Sequence, residues 1–360
     1  MRVWQLTAGG RGRDFTKLLE RYDLMLLGPG EPGAFEPHLY KGLDSLKASP
    51  RNALRRFHNL VKPGDFVLIR RDERFIALGL VPDAPDDHYF HDARFDDIHG
   101  WHLGHARRVV WQGQLKEQLA QLAEHEPAFA PQKRASPFLR LRAKPLLRHL
   151  EPLADACEKR TLLPLPTAAL SQALTGDALR RALIDVGLAS EAAGVCEVIE
   201  QHRDLLVWYR GGPRRDERPS EHEVVAYLVF PLLRALGWSA KTLAVEWKRI
   251  DLAAFASSAE DPARCVLVCE AKGLRFGLMN AYPQARDYVR EHRLEHCLHI
   301  LLTQGSRLYL YRRSPGGKWP DDPFGYINIE AIRREHLWPT GTDAVATLLA
   351  LTPQRLCAAP

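Results

Sequence analysis

Apolar and polar positions change rhythm twice along the chain. Over residues 1–112 short apolar runs alternate with Gly, Pro and charged punctuation. Met1-Arg2-Val3-Trp4-Gln5-Leu6 reads as a first strand. VKPGDFVLIRR (61–71) is a turn running into a strand, and ERFIALGLV (73–81) is its hairpin partner across the polar Arg71-Asp72-Glu73 turn. Arg107-Arg108-Val109-Val110-Trp111 reads as a closing strand, and strands this short predict a small β-barrel. From 113 to about 205 Leu and Ala recur at helical spacing, in QLKEQLAQLAEH (114–125) and DALRRALIDVGLASEAAGVCEVIEQH (177–202). That predicts a helical connector, closed by the linker GGPRRDERPS (211–220).

The third rhythm begins at SEHEVVAYLVFPLLRALGW (220–238), a helix with a Ser N-cap and a Gly237 stop. TLAVEWKRIDLAAFA (242–256) is strand-like, and RCVLVCEAK (264–272) is a continuous apolar strand ending in two charges. LMNAYPQARDYVREH (278–292) reads as a helix whose first turn is limited by Pro283, and CLHILLTQG (297–305) and RLYLYRR (307–313) are two further strands. This order predicts an α/β sheet with a mixed or antiparallel edge. The expected fold is multidomain α+β: a barrel over 1–112, a helical and partly basic connector over 113–210, an α/β domain over 218–340 and a C-terminal tail over 341–360.

Composition narrows the class. Apolar residues make up 46% of the 360, and no apolar run approaches the length of about 18 residues needed to span a bilayer. The N-terminus lacks the basic, apolar and small-residue regions of a signal peptide. The six cysteines are scattered without a CxxC pair, so buried thiols in a reducing cytoplasm are expected. The net charge of +6 favours a polyanionic partner. Residues 131–150 carry Lys133, Arg134, Arg140, Arg142, Lys144 and Arg148 and no acid. The segment reads either as a solvated face or linker, or as a phosphate-contacting stretch whose cations release counterions from nucleic acid. Arg11, Arg13 and the Arg55-Arg56 pair admit the same two readings.

The chemistry concentrates where VLVCEAK (266–272) ends. Glu270 and Lys272 stand two positions apart, on one face of a strand whose lead-in is wholly apolar. Charges at the margin of a core cost desolvation unless they have partners. Asp251, read as the end of the preceding strand, is the expected partner across a hairpin. Two carboxylates and a backbone carbonyl form a hard-oxygen site suited to Mg²⁺, with Mn²⁺ as the alternative ion. Such an ion lowers the pKa of a bound water and stabilises charge on a phosphate. Lys272 would orient that water or the phosphate. A second acid-x-Lys triplet, Glu246-Trp247-Lys248, lacks the apolar lead-in and reads as a decoy, although Glu246 could support the site.

Taken together, the block SE…PLLRALGW, VEWKRIDLAAF, VLVCEAK, the Gln284-Ala285-x-x-Tyr288 helix and LLTQGSRLYLY resembles the nuclease domain at the N-terminus of type I restriction motor subunits. It is thus similar to PD-(D/E)xK endonucleases over roughly residues 218–340. The resemblance implies metal ligands at Asp251 and Glu270, a catalytic Lys272, a metal-assisting helix acid at Glu221 with Glu223 as the rival, and a motif glutamine at Gln284. Val225 departs from the family, where many relatives carry Arg. No GxxxxGK[ST] loop occurs, so neither an ATP-driven motor nor ATP binding is expected.

VKPGDFVLIRRDERFIALGLV and HYFHDARFDDIHGWHLGHARRVVW (88–111), with Trp4 and Ala8-Gly9-Gly10-Arg11-Gly12, resemble the EVE-like branch of PUA-type barrels. The resemblance implies a pocket for a modified base. A flipped base needs aromatic faces and a few polar groups. Trp4, Tyr89, Phe90 and Trp101 could supply faces, and Asp97, His99 and His102 polar groups; plain core packing is the competing reading for each aromatic. His91, His99, His102 and His105 have no metal-site spacing and read as solvated or hydrogen-bonded loop histidines. The combined expectation is a modification-dependent DNA endonuclease, acting as a homodimer on double-stranded DNA. The alternatives are a non-catalytic reader of modified nucleic acid and a structure-specific repair nuclease.

Overall fold

The computed structural model describes the chain except residues 10–13, 30–33, 36–47, 84–87, 99–100, 113–114, 126–128, 133–135, 143, 159–160, 168–170, 212–218, 275, 279 and 359–360. It is a mixed α+β protein of two compact units, Met1–Ala169 and Leu170–Pro360. No described helix is long and apolar enough to cross a membrane.

The first unit runs β1 (Val3–Thr7), α1 (Thr16–Tyr22), β2 (Leu24–Leu27), α2 (Ala48–Asn59), β3 (Phe66–Arg71), β4 (Arg74–Leu80) and β5 (Phe90–His91). It continues through β6 (His105–Arg108), β7 (Val110–Gln112), α3 (Lys116–His125), β8 (Phe138–Leu141) and α4 (Lys144–Glu158). The β3–β4 hairpin forms where the sequence predicts it, with Asp72 at φ 52° in its turn. The closing strand does not stay in one sheet. It breaks at Val109, whose N–H donates to the Asp23 carbonyl, so β6 lies in the sheet β2-β6-β5 and β7 in the sheet β7-β4-β3-β1-β8. Among the described residues these sheets are open, and no closed barrel forms.

The fifth strand of the larger sheet, β8, comes from the segment expected to be a basic connector. Phe138, Leu139 and Leu141 are buried there, and α3 and α4 add Leu119, Leu146 and Leu150 to the core around Val3, Phe66 and Leu78. Amphipathic segments bury their apolar face against the nearest core, so the first half of the 113–210 connector belongs to the first unit.

The second unit runs α5 (Gly176–Asp185), α6 (Ala192–Gly211), α7 (Glu221–Val224), α8 (Phe230–Ala235), β9 (Leu243–Trp247), β10 (Ile250–Phe255) and β11 (Cys265–Ala271). Then follow α9 (Ala281–Glu291), β12 (His299–Thr303), β13 (Arg307–Arg312), β14 (Gly325–Asn328), α10 (Ala344–Ala350) and α11 (Pro353–Leu356). The sheet order is β14-β13-β12-β11-β10-β9. Only β11 and β12 pair in parallel, as a strand pair joined by a crossover helix must; the other neighbours are antiparallel.

One face packs on α9 through Val268, Ala281, Ala285, Ile300 and Leu302. The other packs on α5, α6, α8 and α10 through Leu183, Ile199, Leu232, Leu267, Leu301 and Leu348. The second half of the expected connector and the expected C-terminal tail are therefore core elements. Val345, Leu348 and Leu351 are fully buried, and the Trp238 indole N–H donates to the Leu351 carbonyl at 2.7 Å.

Two local features position the candidate chemistry. Residues 242–256 form a hairpin rather than one strand: Trp247 pairs with Ile250 around Lys248 and Arg249, both at positive φ (51° and 67°). Turns of this kind normally use Asn or Gly. The helix beginning at Glu221 has a full capping box, in which Glu223 N–H donates to the Ser220 hydroxyl and the Glu223 carboxylate accepts from Ser220 N–H. It then widens into a π-turn over Val225–Val229 before α8. Pro231 explains the widening, because it has no N–H for the carbonyl four residues back.

Candidate active site

Antiparallel pairing sets Leu252 opposite Cys269; continuing that register by one residue sets Asp251 opposite Glu270. Parallel pairing sets Ala271 beside Thr303. The carboxyl end of β11, the start of β10 and the end of β12 therefore meet at one edge of the sheet. The region outside the carboxyl ends of parallel strands is a common ligand position in α/β sheets.

Glu270 is almost fully buried, with a side chain 2% exposed. Its Oε1 lies 2.7 Å from the Lys272 ammonium, and its Oε2 is buried without a hydrogen-bond partner among the described residues. Burial pushes its pKa up to about 7; the neighbouring Asp251 and Glu221 charges add to this and Lys272 opposes it. Asp251 is also raised, first by burial and then by Glu221 and Glu246, against the Ala271 N–H that donates to its Oδ2 at 2.7 Å. For Lys272, burial disfavours the charged form, but Glu270, Glu221 and Asp251 outweigh it and the net shift is upward.

Of the two acids at the start of the helix, only Glu221 pairs with Lys272 among the described residues. Glu221 Oε1 stands 3.4 Å from Lys272 Nζ, whereas Glu223 is occupied in the capping box. Gln284 is on α9 as expected, but its amide donates to the Tyr288 hydroxyl at 2.8 Å. Among the described residues it makes no hydrogen bond to Asp251, Glu270 or Lys272. Glu246 is exposed, at φ 57°, and pairs with His222 at 2.9 Å.

Sequence reasoning did not single out Thr303. Its carbonyl accepts from Lys272 N–H at 2.8 Å, and its hydroxyl accepts from Gly305 N–H and donates to the Arg307 carbonyl. The next residue, Gln304, is buried at the same strand end. Gly305 sits at φ +90°, where a Cβ would strike the Leu228 side chain, so the turn needs glycine. The Thr-Gln-Gly string after an apolar strand was the available signal.

Whether a divalent ion suits this edge can be judged from the donors. No group of three or more His, Cys, Asp or Glu side chains gathers as a metal site among the described residues. Two carboxylates do face each other, each raised by burial and by like charge, and Glu270 has an unpartnered oxygen. Hard anionic oxygens short of positive charge fit a Mg²⁺ or Mn²⁺ ion, so the donor set matches in kind.

In the first unit one of the expected pocket aromatics belongs to the core. Trp4 is fully buried; its ring stacks on Phe138 with centroids 5.0 Å apart, and its indole N–H donates to Asp65 at 2.9 Å. It is a core residue, and its face is already taken. Tyr89 is half-buried in a tight cluster: its hydroxyl accepts from Phe35 N–H at 2.7 Å and lies 2.8 Å from His105 Nδ1. His105 is no loop histidine. It is fully buried on β6, with Nε2 2.6 Å from the Pro29 carbonyl and its pKa pushed down to about 4, mainly by burial. The carbonyl requires a proton on Nε2, which leaves Nδ1 to accept from Tyr89.

Arg107 completes this region. Buried, with its pKa lowered by burial to about 10, it donates to the Phe57 and His58 carbonyls. Phe90 and Asp97 are half-buried, and Trp101 is half-buried edge-on to Phe15. Arg140, Arg142 and Lys144 are exposed, Arg140 alternating with buried Leu139 and Leu141 on the edge strand. Arg11, His99, Lys133 and Arg134 lie outside the described residues.

No family model matches the chain, and neither do any curated protein or solved structure.

Proposed function

We propose that the chain is a Mg²⁺-dependent endodeoxyribonuclease, with the second unit hydrolysing phosphodiester bonds and the first reading a modified base in the same duplex. The observation that carries the hydrolytic part is Glu270: a buried carboxylate opposite Asp251, with one oxygen on Lys272 and the other unpartnered. Burial of this kind is costly, and carboxylates perturbed by desolvation and a specific charge partner cluster at functional sites. Asp251 and Glu270 would hold the ion. When bound, it supplies charge stabilisation for the phosphate and a water acidic enough to attack.

The chain's own residues do the rest. Lys272, held between Glu270 and Glu221, presents an ammonium to the scissile phosphate or the attacking water. The Ala271 N–H fixes the Asp251 carboxylate, and Thr303 fixes the backbone from which Lys272 projects. Cutting both strands needs two such sites, so a homodimer is part of the proposal. For the first unit, the support is narrower: the Tyr89–His105 cluster on the segment that also carries Phe90, Asp97 and Trp101.

The test is incubation of the purified chain with Mg²⁺ and matched duplexes carrying cytosine, methylcytosine or hydroxymethylcytosine. Cleavage confined to a modified duplex is the expected result. Equal cleavage of all three would sink the modification-dependent part, and binding without cleavage under Mg²⁺ or Mn²⁺ would sink the enzyme.

A further inference from the structure

A cleft of about 350 Å³ opens beside the C-terminal half of α9, walled by Arg286, Arg290, Arg293, Arg313 and Trp319. It is remote from Glu270. Lys272 leads into the N-terminal end of α9, and the register pairs Arg312 with His299, at the far end of β12 from Thr303. Four residue steps separate those ends, about 13 Å by strand rise.

Charge in the cleft is out of balance. Four arginines face two carboxylates, Asp287 and Glu295. Arg290 pairs with Asp287 at 2.8 Å. Among the described residues no carboxylate pairs with Arg286, Arg293 or Arg313. The helix C-terminus accounts for cations at Arg290 and Arg293. It does not account for Arg313, which comes from the end of β13 and is fixed by donating from Nε to the Gly317 carbonyl at 2.9 Å. Nor does it account for Arg286, a turn earlier, whose guanidinium stands 5.6 Å from the Tyr282 ring centroid. Trp319 closes the cleft, half-buried and anchored on the α9 face of the sheet core.

Guanidinium forks match phosphate oxygens two at a time, and an anchored indole offers a face for a base. The cleft volume falls within the range of about 300–1,000 Å³ usual for small-ligand sites. We infer that this cleft is a nucleoside-phosphate site, holding the phosphate on Arg286, Arg293 and Arg313 and stacking an unpaired base on Trp319. The ligand is either a free nucleotide or an unpaired nucleotide of a strand. The site is independent of the chemistry assigned to Glu270.

The test uses the full chain in EDTA, with a fluorescein-labelled dodecathymidylate followed by anisotropy and with adenosine monophosphate followed by calorimetry. The Arg286→Ala/Arg313→Ala variant is expected to weaken oligonucleotide binding about tenfold or more. It should also flatten the log–log salt dependence by about 1.4, two single-strand phosphate contacts' worth. Trp319→Ala is expected to weaken binding about fivefold or more, with Trp319→Phe restoring most of it. Arginine-dependent binding of adenosine monophosphate identifies a free nucleotide; arginine-dependent binding of the oligonucleotide alone identifies a strand. Should the double variant unfold, Arg293→Gln, at an exposed side chain, carries the same comparison. Unchanged affinity for both probes in these folded variants overturns the inference. So does competition by polyglutamate that is as strong as the oligonucleotide's and indifferent to Trp319.

Discussion

The chain holds the same acid-x-Lys triplet twice, and the two copies differ in everything but spelling. Glu246-Trp247-Lys248 ends an edge strand. Its acid is exposed on a left-handed backbone and pairs with His222, and Lys248 folds 4.8 Å over the Trp247 ring. Glu270-Ala271-Lys272 ends an interior strand. Its acid is buried, its lysine bridges two carboxylates, and a third carboxylate stands opposite. The triplet therefore carries no chemistry by itself. Desolvation and the convergence of like charges raise the carboxyl pKa values at the second copy, and both come from the strand it terminates.

The comparison can be broken by matched substitutions. Lys272→Ala should lower the rate of Mg²⁺-supported duplex cleavage by about a thousandfold or more, roughly 4 kcal/mol of barrier. Lys248→Ala should leave it within about threefold, since an exposed cation over a ring contributes only about 0.5–1 kcal/mol to stability. Initial rates under identical Mg²⁺ decide this.

The next effect is on stability against pH. Glu270 keeps its proton better in the folded than in the unfolded chain, with its pKa raised from 4.5 to about 7. Its contribution to stability is therefore fully present below about pH 4.5 and lost as pH rises through about 7, at a cost of about 3 kcal/mol. Asp251, also raised, acts in the same direction. Glu270→Gln removes the Glu270 part, so variant and parent should diverge between pH 5 and 8, with the variant the more stable at pH 8. Urea unfolding at both pH values without divalent ions measures it, and parallel curves would contradict the assigned burial.

Smaller effects separate the two acids at the start of the helix. Glu223→Ala should cost about 1 kcal/mol of stability through the lost capping box, with cleavage nearly unchanged. Glu221→Gln should do the reverse, lowering cleavage about tenfold through Lys272 while leaving stability within about 0.5 kcal/mol, as expected for a half-exposed ion pair. Smallest is Glu246→Gln, which should shift stability by less than about 0.5 kcal/mol, because its pair with His222 is open to solvent.

Much of this site was legible in the sequence. The Ser220 cap, the apolar lead into Glu270 and the α9 helix all follow from patterning that the local structure keeps. Less was legible where tertiary contacts overrode the local signal. The Lys248-Arg249 turn has no Asn or Gly, so a hairpin read as one strand and Asp251 read as an end rather than a beginning. The basic stretch around Arg140 became a strand because Leu139 and Leu141 found a neighbour in β1. Trp4 is an aromatic with a hydrogen-bonding edge, and sequence alone does not tell a ligand face from a core ring whose N–H is satisfied by Asp65.

The most direct test sets the two glutamates side by side. Initial rates of duplex cleavage are measured across a Mg²⁺ titration for the parent, Glu270→Gln and Glu246→Gln. Loss of cleavage at every Mg²⁺ concentration is expected for Glu270→Gln, and a parent-like curve for Glu246→Gln. A Glu270→Gln protein that cleaved like the parent would contradict the role assigned to Glu270.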